Sequence, residues 1–305
     1  MDFLRHRKSY PTKLTVDVHT ACNATCVSCP YPKLSRVMDH GRMAWDLYTK
    51  IIDDFEDICR REGFQGHLSY CNMSEPTVLK NFFDYLEYAY RKGCFYVYFN
   101  TNVSLLTPVF IDRLVAENVL PAIHLNIMSL QKEQYEEFMG IEFETTLKNL
   151  EHLAKHYDTD RVDAGVLSPP LNGDRVKEFQ EFFKKRKIKT YVGKARDRAQ
   201  NTLEEVHPIT DKMFGCRANR PSRRMMVTYD GRVFLCDEDM ANDVILGDLE
   251  KESIEEVWNG QRFREILQII YEGKPTDPNF ICYRCVNAVK VKPTFLQRSM
   301  GWDPE

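Results

Sequence analysis

Six β-forming runs alternate with helix-forming runs over the first two-thirds of this chain, and that order restricts the fold more than any other feature. The β-rich runs are "LTVDVHT" (14–20), "HLSYCNM" (67–73), "CFYVYFNTN" (94–102), "AIHLNIMS" (122–129), "VDAGVLS" (162–168) and "KTYVGK" (189–194). Between them, residues 44–63 and 78–93 carry apolar side chains at helical spacing and close on Gly63 and Gly93. Thr107-Pro108 opens a helix to about Asn118, "KEQYEEFMG" and "ETTLKNLEHLAKHY" read as two more, and 174–187 as the last. Short βα connections repeated in this way predict parallel strands with helices packed outside. Closed eightfold barrels need about 250 residues, so six units predict an α/β fold built as a partial (β/α)6 barrel. Reactive groups in such folds sit at the carboxyl ends of the strands.

Composition changes near residue 195. A polar connector leads to "RRMMVTYDGRVFLCDED" (223–239), read as a hairpin with Asp230-Gly231 at its tip. Residues 253–273 are helical with a break near Gly260, and the tail is irregular. The expectation is a core over residues 1–200 and a small C-terminal domain, hairpin plus helix, over 201–305.

The 305 residues carry a net charge of -3, which argues against a general nucleic-acid binder. No run reaches the roughly 20 apolar residues of a membrane span. The start, "MDFLRHRKSYPTKL", lacks the apolar centre of a secretory signal. A cytoplasmic, reducing compartment is expected, and there ten cysteines favour metal binding or thiol chemistry over disulfides.

Three of those thiols crowd the end of the first strand. "HTACNATCVSCPYPK" (19–33) holds Cys22, Cys26 and Cys29. Thiolates this close suit soft metals and iron–sulfur clusters. A structural zinc would want a fourth ligand, for which His19 and His40 are nearby. On a four-iron cubane, three cysteines leave one iron open to a small molecule.

Cys22-x-x-x-Cys26-x-x-Cys29 after a first strand resembles the signature of the radical S-adenosylmethionine (radical SAM) superfamily. The resemblance implies that the open iron chelates the amino and carboxylate groups of S-adenosylmethionine. It further implies that an electron from the cluster cleaves the sulfonium, and that the 5′-deoxyadenosyl radical takes a hydrogen atom from substrate. The family's Gly-Gly-Glu-Pro-like stretch is met by "NMSEPTVL", where Ser74 and Glu75 would face the ammonium group. Asn100, Thr101 and Asn102 after the third strand, and Asn126 and Ser129 after the fourth, fit its ribose and carboxylate contacts. Many family members carry an aromatic before the third cysteine; here Ser28 stands there and Tyr31 follows.

Cys216, Gly231, Cys236 and the pair Cys282-x-x-Cys285 resemble the opening of the SPASM extension in its shorter "twitch" form. That implies one auxiliary 4Fe-4S cluster held by four cysteines, used for electron transfer or structure. The same four cysteines permit a structural zinc.

The whole pattern resembles aminocyclitol dehydrogenases and aminoglycoside epimerases of the superfamily. It implies oxidation or epimerisation of a sugar, aminocyclitol or aminoglycoside-like metabolite, with flavodoxin or ferredoxin as reductant. Absence of a recognition segment before the first strand favours a small molecule over a peptide, whose radical modification is the alternative. A non-catalytic zinc module or electron carrier is the rival of a different class. Cys59 and Cys94 read as structural, whereas Cys71 is the candidate hydrogen donor for an epimerase. Tyr98, His124, Lys194, Arg196 and Asp197 are candidate proton acceptors or substrate contacts.

Overall fold

β-branched and aromatic residues make the strands, and their alternation decides which face each one buries. In a computed structural model describing residues 7–70, 72–168, 175–194, 198–199 and 210–292, β1 (Lys13–Val16), β2 (Gly66–Tyr70), β3 (Phe95–Thr101), β4 (Ala122–Asn126), β5 (Val162–Ser168) and β6 (Lys189–Lys194) run parallel in chain order. Phe95, Val97 and Phe99 of β3 are buried in the core, whereas Tyr96, Tyr98 and Asn100 point to the opposite, concave face. Ile123 and Leu125 against His124 repeat the pattern on β4. The partial barrel of the α/β class is therefore observed.

The helices cover the convex side. Apart from α1 (Tyr31–Leu34), which buries no residue and follows the cysteine loop, they are α2 (Trp45–Glu62), α3 (Phe82–Arg91), α4 (Pro108–Ala116), α5 (Lys132–Met139), α6 (Phe143–His156) and α7 (Val176–Lys184). α2 presents Tyr48, Ile52, Phe55 and Ile58 to the sheet, and each such fully buried side chain contributes about 1.5–3 kcal/mol. It ends where Gly63 takes φ 66°, a left-handed turn that glycine adopts without strain. α4 starts at Thr107, whose hydroxyl accepts from the Phe110 N–H.

The hairpin of β7 (Arg224–Val227) and β8 (Arg232–Phe234) turns at Asp230-Gly231 as its sequence implies. β7 then pairs in parallel with β1, Lys13 opposite Arg224 and Val16 opposite Val227. A further strand, β9 (Ile245–Asp248), pairs antiparallel with β8. Among the described residues one nine-stranded sheet results, ordered β6-β5-β4-β3-β2-β1-β7-β8-β9. The C-terminal helix is broken at Gly260 into α8 (Ile254–Trp258) and α9 (Gln261–Glu272). α8 also docks the start of the chain: Arg7 donates to the Trp258 carbonyl (2.7 Å) and Trp258 Nε1 to that of Lys8 (3.0 Å). Among the described residues, no helix is long and apolar enough to cross a membrane.

Candidate active site

The three-cysteine loop leaves β1 and is pinned on several sides. The Cys22 N–H donates to the Tyr31 hydroxyl (2.9 Å), and the Cys29 N–H to the Cys26 carbonyl (3.1 Å). The N–H groups of Thr25 and Val27 donate to the carbonyls of Met139 and Phe138 at the end of α5. Gly140 permits that approach, since a Cβ there would lie 2.0 Å from Thr25 Oγ1. Burial pushes the Cys22 thiol up to about 11 and that of Cys26 to about 12, with neighbouring thiolates adding to both. Cys29 is raised by burial too. The three sulfurs are thus close enough to feel one another's charge, and their protons must leave when a metal binds.

Glu75 stands beside this loop, fully buried. Its Oε1 accepts from the Thr77 N–H, the Thr77 hydroxyl and the Thr101 hydroxyl, and its Oε2 from the Asn102 N–H at 2.7 Å. Burial raises its pKa while these donors oppose the rise. Oε2 retains room for one more donor. Asn102 is largely committed to the chain, its Nδ2 donating to Asn23 and its Oδ1 accepting from Ser104. Ser129 is a turn residue at the start of α5, donating to Gln134 and accepting from the Gln131 N–H. Asn126 is exposed at the end of β4 and Asn100 is half-buried on β3; Ser74 is buried before Glu75. Cys71, Arg196 and Asp197 lie outside the described residues, as does the side chain of Lys194.

Sequence reasoning missed three features here. Tyr31 caps the cysteine loop through its hydroxyl. Thr77, with Thr101 and Asn102, cradles Glu75. Asp17, one residue past β1, is buried and accepts from the Asn72 N–H (2.8 Å); burial pushes its carboxyl up to about 7 against that bond. Asp17 lines a pocket of about 200 Å³ with Thr20, Met73, Thr228, Tyr229 and Asn242.

The second cysteine set gathers around the far end of the sheet. Cys216 bridges to Ala288, Cys236 follows β8, and Cys282 and Cys285 flank a tight turn. Burial raises Cys236 and Cys282 well above the ordinary thiol range and Cys285 to about 11, and the charges of Cys236, Cys285 and Cys216 all reach Cys282. Arg220 adds a cation beside them, ion-paired with Asp237 and Glu238 at 2.8 Å each.

Cysteine thiols converging in sets of three and four fit iron–sulfur ligation. One zinc would draw its sulfurs to about 3.8 Å apart, from the 2.3 Å bond and tetrahedral angle. Among the described residues no three cysteine sulfurs lie mutually within 4.8 Å; the group that does is Asp112, His152 and His156 on the outer helices. His40 is unsuited to ligate, its two ring nitrogens being taken up by Thr20 and the Ser35 carbonyl. His19 receives the Ala21 N–H on Nδ1.

The sequence profile of the radical SAM superfamily matches residues 16–183. This chain belongs to the radical SAM superfamily. The profile of SPASM, an iron–sulfur cluster-binding domain, matches residues 216–286. The chain is thus a radical SAM enzyme with a SPASM domain, and its cofactors are S-adenosylmethionine, a 4Fe-4S cluster and an auxiliary iron–sulfur cluster. It is 20% identical over 274 residues to an S-adenosyl-L-methionine-dependent 2-deoxy-scyllo-inosamine dehydrogenase of Niallia circulans, covering 90% of this chain and 92% of the relative. Its fold is similar to that of BtrN in complex with AdoMet and 2-DOIA: TM-score 0.59, 16% identity, 93% of this chain and 96% of BtrN covered. It is also similar to Streptococcus suis SuiB bound to the precursor peptide SuiA: TM-score 0.68, 15% identity, 95% and 77% covered.

Proposed function

We propose that this radical SAM enzyme dehydrogenates a hydroxyl group of an aminocyclitol-like small molecule. The observation that carries the reading is the second cysteine set. Four thiols converge there, enough to saturate one cluster and leave no open iron. A saturated cluster is suited to accept an electron and unsuited to bind substrate, which favours net oxidation over a redox-neutral epimerisation. The near end-to-end match to the Niallia circulans dehydrogenase supports the substrate class.

In this reading Cys22, Cys26 and Cys29 hold the first cluster, and Cys216, Cys236, Cys282 and Cys285 the second. When bound, the cofactors supply abstraction of a hydrogen atom and an acceptor for one electron. The chain's own residues position the partners. Ser74 and Glu75 face the ammonium of S-adenosylmethionine, with Thr77 and Thr101 fixing the carboxylate. Asn100, Asn102, Asn126 and Ser129 line the rim around the remainder of that ligand. The polar concave face and the Asp17 pocket receive the hydroxylated substrate.

The test is anaerobic turnover with reductant, S-adenosylmethionine and 2-deoxy-scyllo-inosamine. The expected product lacks a pair of hydrogens, one equivalent of 5′-deoxyadenosine accompanies it, and the protein holds about eight irons. Cys26→Ala keeps about four irons and makes no deoxyadenosine. An isomer that has lost no hydrogen pair and carries one carbon-bound deuterium after turnover in heavy water would instead establish epimerisation.

The fold likeness to SuiB bound to its precursor peptide favours a second reading, modification of a peptide. Turnover of a precursor peptide with no reaction on aminocyclitols would establish it.

A further inference from the structure

Removing a hydrogen atom and an electron from a secondary alcohol leaves one proton to dispose of before a ketone forms. A residue on the concave face must accept it, or water must. Resting on the dehydrogenase reading, we infer that His124 Nε2 accepts this proton and that Asp163 positions the imidazole.

His124 Nδ1 lies 2.6 Å from Asp163 Oδ2 across the β4–β5 ladder, where the two residues are direct register partners. A carboxylate there favours the tautomer with hydrogen on Nδ1, leaving the Nε2 lone pair free to act as a base. Nε2 makes no hydrogen bond among the described residues, and the ring is partly exposed. Among the described residues Asp163 Oδ1 is buried with no hydrogen-bond partner, and the imidazole is the carboxylate's main compensation there.

Position supports the role. His124 alternates with core residues Ile123 and Leu125, which puts it on the concave face of the sheet. Tyr98 meets the ring edge-on, centroids 5.0 Å apart, and fixes its plane from the neighbouring strand. The groups facing it are Asn100, its register partner on β3, Tyr98 on the same strand with Tyr96 beyond, and Asp163 on β5; Lys189 on β6 is the register partner of Asp163. Two residues up the strands, about 6–7 Å at 3.3 Å per residue, stand Asn102 and Asn126. Asn102 there touches Asn23 of the cysteine loop. A carbinol seated between that rim and the dyad presents its C–H upward and its O–H toward Nε2. The balance is then complete: the hydrogen atom and the electron go to the cofactors, the hydroxyl proton goes to Nε2, and the C=O bond forms.

The probe is 2-deoxy-scyllo-inosamine deuterated at the oxidised carbon, with anaerobic, fully loaded enzyme. His124→Asn is the chief variant, because its Nδ2 can still donate to Asp163 while no base remains. Loss of general-base catalysis should lower kcat by about 10²–10³-fold, with iron content and thermal midpoint held. Deuterium should still pass into 5′-deoxyadenosine, uncoupled from ketone, and the acid limb of the kcat–pH profile should vanish. His124→Gly with added imidazole should recover ketone formation. Asp163→Asn should lower kcat by about 10-fold and displace the acid limb, which a merely structural pair would not do. Ketone formation by His124→Asn within threefold of wild type, or an unchanged pH profile, overturns the inference alone. A wild-type enzyme that makes no ketone overturns the dehydrogenase reading, and the inference with it.

Discussion

Asp17 shows how one residue couples the site to stability. Burial raises its carboxyl from 3.8 to about 7. Between those values the folded state keeps the proton and the unfolded state does not. Stability therefore falls as pH rises through that window, by up to about 1.4 kcal/mol per unit, and levels off above it. Asp17→Asn can keep the bond from the Asn72 N–H and should remove this slope. Thermal midpoints of wild type and variant are expected to diverge as pH rises from 5 to 8, the variant holding the higher midpoint. At this scale the cysteines were legible as candidate ligands from spacing, and Glu75 as a candidate contact within "NMSEPTVL". The Thr77 and Thr101 cradle was not, because it joins residues whose only common sign is a short polar side chain. His124 was legible as a candidate, but its partnership with Asp163 depends on the β4–β5 register, which the two runs do not specify.

The elements carry the cysteines, so their turns matter as much as their ligands. Gly231 holds φ 85°, and a Cβ added there would meet Leu47 Cδ2 at 3.2 Å and the Glu250 N at 3.3 Å. Gly231→Ala should cost about 1–2 kcal/mol. Because Cys236 sits just past β8, the variant should also lose auxiliary-cluster iron first, read as a drop toward about four irons per chain on mild chelation. The hairpin was visible from Asp-Gly between β-rich runs. β9 was not: "ILGD" is four residues long and interrupted by Gly247. That glycine is kept small by Val257, whose Cγ2 would lie 2.6 Å from a Cβ. The break in the last helix is visible in the sequence, since Gly260 breaks the periodicity, and Ser253 with Glu256 closes a capping box on α8.

For the whole molecule, the parallel order of six strands followed from the βα alternation, but the union of both cysteine sets on one sheet did not. Its key contact pairs Lys13 with Arg224, and nothing local in either stretch announces a partner so distant. A continuous sheet predicts a single cooperative thermal transition. Cys282→Ser should lower the midpoint for the entire chain, as seen by calorimetry and by far-ultraviolet dichroism together. Two separated transitions, with only the second moved by the variant, would show that the halves melt apart.

The placement of β1 between β2 and β7 also has a consequence for biosynthesis. β1 has one flank filled early, by β2, and the other only after residue 227 has been made. Until then a row of bare amides and carbonyls stands open to any passing strand. Slow translation at low temperature therefore lengthens exposure to neighbours, while chaperone capacity shields that flank, and soluble yield should follow the chaperone supply more closely than the supply of iron.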